Sequence, residues 1–200
     1  MSEQNHPATA PGLARKIVMF PLVRIIIGLV FILATVLIIS AIFRPLGHAL
    51  FPGDERPVAW VSAMWVFSSI MITLAYLAFL RFVERRNFSE LSRERALPET
   101  AAGYGIGALL MILSVGILWL MGSYHPAGVG SATILLVPFL SSIFTGFFEE
   151  ILFRGILFRI IQESLGTWIA VIASALIFGF AHGGNPNATM FSSTAIALEA

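Results

Sequence analysis

The sequence predicts an all-α bundle of membrane-spanning helices, and three observations carry that prediction. The 200 residues are 58% hydrophobic and only 12% charged, with a mean hydropathy of +0.89. Soluble domains carry about 25% charged residues. Several uncharged runs are long enough to cross a bilayer as helix, which takes roughly 20 residues. The charges are gathered into short stretches between those runs.

The polar N-terminus predicts a disordered cytoplasmic tail over residues 1–16, with 17–200 forming the transmembrane domain. Ile25–Phe43 is uncharged and reads as a first span, ended by Arg44-Pro45. After a loop with Pro52, Gly53, Asp54, Glu55 and Pro57, Val58–Leu80 is a second span, with Trp60 and Trp65 near one end as interfacial aromatics. Arg81–Glu99 is the most charged stretch. Ala101–Phe148 then has no Lys, Arg, Asp or Glu. That is too long for one span, and it breaks at Gly122–Gly130. The third span is thus about Ala102–Met121, and a fourth begins near Ser131. Glu163–Gly166 reads as a turn, Thr167–His182 as a fifth span, and a sixth apolar segment begins after Gly183-Gly184-Asn185-Pro186. Thr194–Ala200 reads as the middle of a helix with no stop signal, so a further C-terminal portion is expected in the parent chain. The expectation is five spans plus the start of a sixth.

The net charge is only +1, so no nucleic-acid partner is expected. With no cysteine, disulfides, thiol catalysis and thiolate metal sites are excluded. Arg81, Arg85, Arg86, Arg93 and Arg95 follow the second span, against Arg44 and Arg56 in the first loop and none in the third. The positive-inside rule then puts the N-terminus and the Arg81–Glu99 loop in the cytoplasm.

The chemistry concentrates at Phe147-Phe148-Glu149-Glu150-Ile151-Leu152-Phe153-Arg154-Gly155. Ionisable groups at membrane depth cost a few kcal/mol each and usually face a protein interior or a wet cavity. Glu150 and Arg154 are four apart with the Glu first, the favourable order for a helical ion pair. Glu149 is rotated by about 100° from Glu150 and shares that partner poorly. It is left free and partly desolvated, a candidate general base. The alternative is that these charges merely mark a helix end at the membrane surface.

His182 ends the next apolar run, four residues after Phe178 on the same face. Alone it would read as structural, but Glu149 lies 16 residues before Leu165 and His182 lies 16 after Gly166. At about 1.5 Å per residue both sit roughly 24 Å from the turn, level in an antiparallel hairpin. A carboxylate and an imidazole at matched depth can hold a water, with or without a metal ion. His6, His48 and His125 fall in the tail and loops. Asn185 follows His182 closely, although Asn185-Pro186 is also an ordinary turn. Signatures of other intramembrane proteases are missing: no His-Glu-x-x-His, no Gly-x-Ser-x-Gly, and a single aspartate, Asp54.

Glu149-Glu150-Ile151-Leu152-Phe153-Arg154 followed by Phe178-Gly179-Phe180-Ala181-His182 resembles the CPBP family, which includes the CAAX prenyl proteases of the Rce1 type and the bacterial Abi proteins. The resemblance covers about Phe144–Asn185; before that it is one of hydropathy alone. It implies an all-helical intramembrane endopeptidase acting on a peptide or protein substrate, with a bacterial cytoplasmic membrane as the expected setting. Glu149 would activate water, supported by Glu150 and Arg154. His182 would help bind the water or a metal, or stabilise the oxyanion, with Phe178 and Asn185 as lesser substrate or oxyanion contacts. A Zn2+ ion held in part by Glu149 and His182 is a further implication. The family pattern also has a later helix with a second His, and no His follows His182 here. Two other classes fit the same residues: a non-catalytic immunity or scaffold protein, and a proton-coupled transporter.

Overall fold

The structure is a computed structural model that describes residues 12–53, 56–87, 95–128 and 130–199. Helices run in the order α1 (Leu13–Val18), α2 (Pro21–Leu50), α3 (Val58–Ala78), α4 (Ala96–Leu120), α5 (Ala132–Glu149), α6 (Arg159–Leu165), α7 (Thr167–His182) and α8 (Met190–Glu199). Two stretches are π-helical: Phe79–Glu84, which continues α3, and Glu150–Phe158, which joins α5 to α6. All described regular structure is helical. The chain divides into two units, 1–86 with 136–200, and 87–135.

Four helical stretches are long and apolar enough to cross a membrane: Pro21–Leu50, Val58–Glu84, Ala96–Leu120 and Thr133–Leu165. α7, with 16 residues, is an apolar helix shorter than these, and α8 has ten. The expected fifth span thus has its predicted bounds but less than the usual spanning length, and the sixth segment is described as a short helix. Large apolar side chains such as Leu37, Ile38 and Ile172 point outward, the pattern of helices whose surroundings are hydrocarbon. The chain is an integral membrane protein.

Three expected boundaries move. Residues 13–16, read as part of a disordered tail, belong to α1; 1–11 lie outside the described residues. The first span does not stop at Arg44-Pro45 but continues to Leu50 with Pro45 inside it. A proline costs the N–H bond to the preceding turn, yet membrane helices tolerate it where neighbours hold the backbone. Here the neighbours are aromatic: Phe43 lies 5.5 Å from Trp60 and 5.3 Å from Phe67, and Phe51 lies 5.5 Å from Trp60, centroid to centroid. These contacts clamp α2 to α3 on both sides of Pro45. The charged loop is also shorter than Arg81–Glu99, since the π-helical turn reaches Glu84 and α4 starts at Ala96.

In the larger unit, α2 packs along α3, the Glu150–Phe158 segment against α2 and α7, α6 against α2 and α7, and α8 on α7. The most deeply buried side chains are Ile32, Ile72, Phe79, Leu80, Ile156 and Ile160. Gly28 lets α2 approach closely, because a Cβ there would lie 2.9 Å from Ile156 and 3.2 Å from Phe79. At one end of this unit is a buried ionic cluster. Glu84 Oε1 accepts from Arg24 Nε (3.2 Å) and NH2 (2.8 Å), and Oε2 accepts from Arg86 Nε (3.0 Å). Arg159 NH2 lies 2.7 Å from the same Oε2, an ion pair without hydrogen-bond alignment. Glu163 accepts from Arg24 NH2 (2.7 Å) and Arg159 NH1 (2.8 Å). In the smaller unit, α4 begins two residues before Pro98, which the first helical turn accommodates.

Candidate active site

α5 delivers Glu149 as its last residue, and the chain passes into the π-helical segment at Glu150. Gly166, at φ 88°, ends α6 and reverses the chain into α7. The left-handed backbone that this reversal needs is available to glycine without strain. The returning α7 brings His182 Nε2 to 3.6 Å from Glu149 Oε1. Both side chains are partly covered, so the pair is neither sealed in the core nor open to bulk solvent.

The orientation of the imidazole follows from its other nitrogen. His182 Nδ1 is 2.8 Å from the Phe178 carbonyl oxygen. A carbonyl can only accept, which assigns the hydrogen to Nδ1 and leaves Nε2, when the ring is neutral, with a lone pair facing the carboxylate. Two acceptors facing each other at this distance call for a shared donor. Phe178 fixes the ring further, with centroids 4.4 Å apart, and is held in turn by Phe153 edge-on at 4.7 Å.

Arg154 NH1 donates to Glu150 Oε1 in an i,i+4 pair whose side chains are largely exposed. Glu149 makes no ion pair with Arg154 among the described residues. A cavity of about 160 Å³ opens beside the carboxylates, lined by both of them with Phe153, Arg154, Phe158, Val171, Ser174 and Phe178. The structure therefore brings together Glu149, Glu150, Arg154, Phe178 and His182. Asn185 does not line the cavity, although its N–H donates to the His182 carbonyl at 3.1 Å. Asn185 is exposed and opens a turn in which Ala188 N–H donates to its carbonyl (3.0 Å), with Pro186 second and Asn187 at φ 63°. His48 Nδ1 accepts from Arg56 NH2 at 2.7 Å, far along the chain from this site.

Sequence reasoning missed the cavity walls Phe153, Phe158, Val171 and Ser174. The signal existed: Val171, Ser174, Phe178 and His182 are spaced at helical intervals of three and four, one stripe on α7. Ser174 Oγ donates to Ala170 O at 2.7 Å, which leaves its lone pairs for the cavity. For zinc, Glu149 and His182 are two donors, and no group of three or more His, Asp or Glu comes together among the described residues. A catalytic zinc takes three protein ligands, so the described donors do not make a zinc site.

No curated protein and no solved structure matches the chain. The sequence model described as type II CAAX prenyl endopeptidase Rce1-like matches residues 131–198, about a third of the chain. That stretch holds both carboxylates, Arg154, Phe178 and His182, and over it the chain is similar to the Rce1-like CAAX prenyl endopeptidases.

Proposed function

We propose that the chain is an intramembrane endopeptidase in which Glu149 activates the attacking water. The observation that supports this most is the facing pair Glu149 Oε1 and His182 Nε2, 3.6 Å apart, with the imidazole hydrogen already committed to Phe178 O. A water at the apex above these two acceptors, about 2.8 Å from each, donates one hydrogen to the carboxylate and one to the ring. Its lone pair is then turned toward the cavity, where a substrate carbonyl would sit.

As the water attacks, Glu149 takes the proton as general base and later returns it to the leaving amine. The Glu150–Arg154 pair keeps a cation beside the cavity without using Glu149 for its neutralisation. Arg154 is the donor best placed to meet the charge that develops on the carbonyl oxygen. Phe153, Phe158, Val171 and Phe178 give the cavity an apolar wall, suited to a peptide that enters from the bilayer. On the arginine asymmetry of the loops, the N-terminus lies in the cytoplasm.

The test is turnover of a peptide library by the full chain in liposomes, set against Glu149→Gln and His182→Ala. Loss of a general base lowers the rate by about 10²–10⁴-fold, and His182→Ala is expected to lower it as well. Equal turnover by the parent protein and Glu149→Gln would remove the proposal.

A further inference from the structure

Among the described residues, the end of the larger unit that holds the ionic cluster has more cations than carboxylates. Arg24, Arg86 and Arg159 occupy all four oxygens of Glu84 and Glu163. Arg15 reaches the same place, but it donates to main-chain oxygens, Val83 O at 2.9 Å and Glu84 O at 3.5 Å. Lys16, Arg81 and Arg85 are exposed and meet no carboxylate among the described residues. Among the described residues, seven cations therefore face two carboxylates here, and four of them lie outside the cluster.

A second, independent pattern surrounds those cations. Leu13 (76% exposed), Phe20 (59%) and Phe82 (75%) stand out from the surface beside them, together with Ile17. Bulky apolar side chains interleaved with Lys and Arg next to a spanning helix form the pattern of a segment lying in the lipid interface. Arg15, by bonding the Val83 carbonyl, holds α1 beside the π-helical stretch that carries Arg81 and Phe82. The apolar groups reach acyl chains while the cations stay at phosphate depth.

We propose that α1, with Arg81 and Arg85, forms a binding surface for the phosphate of anionic phospholipid headgroups. The surface is separate from the candidate active site and does not depend on its chemistry. Each Lys or Arg close to an anionic leaflet strengthens association by a similar increment. Three removed cations should therefore weaken the preference for anionic lipid on the order of a hundredfold.

The experiment is native mass spectrometry of the full chain in detergent with equal amounts of phosphatidylglycerol and phosphatidylcholine. The parent protein is expected to retain phosphatidylglycerol selectively, and selectivity should fall with ionic strength. The variant Lys16→Gln/Arg81→Gln/Arg85→Asn should lose it; asparagine suits the left-handed backbone of Arg85 at φ 59°. Lys16→Arg/Arg81→Lys should keep it, which separates charge from folding. Displacement by inorganic phosphate alone would assign the site to free phosphate and overturn the lipid reading. No selectivity in the parent protein, or equal selectivity in the charge-removed variant, would also overturn it.

Discussion

Glu84→Gln tests the ionic cluster at its centre. The substitution keeps the shape of the side chain and removes the charge that three arginines share. The Glu84 side chain is 2% exposed, and those of Arg24 and Arg159 are 10% and 14% exposed. Removing one partner from a buried ion pair costs about 3–5 kcal/mol, because the remaining charge stays desolvated. Glu163 still bonds both Arg24 and Arg159, and Arg86 can turn to water, so the low end applies, about 3 kcal/mol. For a chain of this length each kcal/mol moves the thermal midpoint by about 2–4 °C, which gives a drop of about 6–12 °C. Glu163→Gln is the control. Its side chain is 44% exposed, and a pair at that exposure contributes about 1 kcal/mol or less. Both midpoints can be followed in detergent by the fluorescence of the four tryptophans. A Glu84→Gln variant no less stable than Glu163→Gln would refute the claim that burial, rather than the number of partners, decides the cost.

Gly179→Ala places a Cβ 2.5 Å from Ala197 Cβ and 2.6 Å from Ser193 O. Backbone cannot yield as a flexible tip would, so a loss of about 3 kcal/mol is expected, read as lost hydrogen-exchange protection in α8 while α2 and α3 keep theirs. Gly155→Ala meets the ring of buried Tyr76 at 2.9 Å and should cost about 1–3 kcal/mol. Tyr76→Phe, which removes the hydroxyl bonded to Gly155 O at 3.1 Å, should cost about 1 kcal/mol, and the double variant less than the sum because the hydroxyl's share of the clash is relieved. In a double-mutant cycle in detergent, the exposed Glu150–Arg154 pair should couple by less than about 1 kcal/mol; a larger value would mean that the pair is desolvated by something bound over it.

The spanning segments were legible because hydropathy is a local property that every residue of a run repeats. The approach of Glu149 to His182 was legible for a related reason: both distances are counted from one turn, and Gly166 marks that turn unambiguously. Pro45 misled because proline reports a missing N–H, whereas the packing of Phe43 and Phe51 against Trp60 across the helix pair is tertiary. The ionic cluster left no local trace. Arg24 reads as a flank of the first span and Glu163 as a turn residue, yet they meet across 139 positions of sequence. Nor does a side-chain pattern announce Glu150–Phe158 as π-helical, since i→i+5 bonding changes the backbone ladder and leaves composition untouched.

That wide-turned segment acts as an indexing device. Each of its turns takes in roughly one residue more than an α-helical turn, so it sets the angle between Glu149 upstream and Arg159 downstream. Arg159 is fixed in the ionic cluster, and its Nε also donates to the Gly155 carbonyl at 2.8 Å. One end of the segment is thereby clamped, and the angular position of the other follows from how many residues lie between. Deleting a single residue from 150–158 while the wide-turned ladder is kept would swing the carboxylates by nearly a quarter-turn away from α7. Substitution here changes what one position carries, whereas a change of length turns every upstream side chain to face somewhere else.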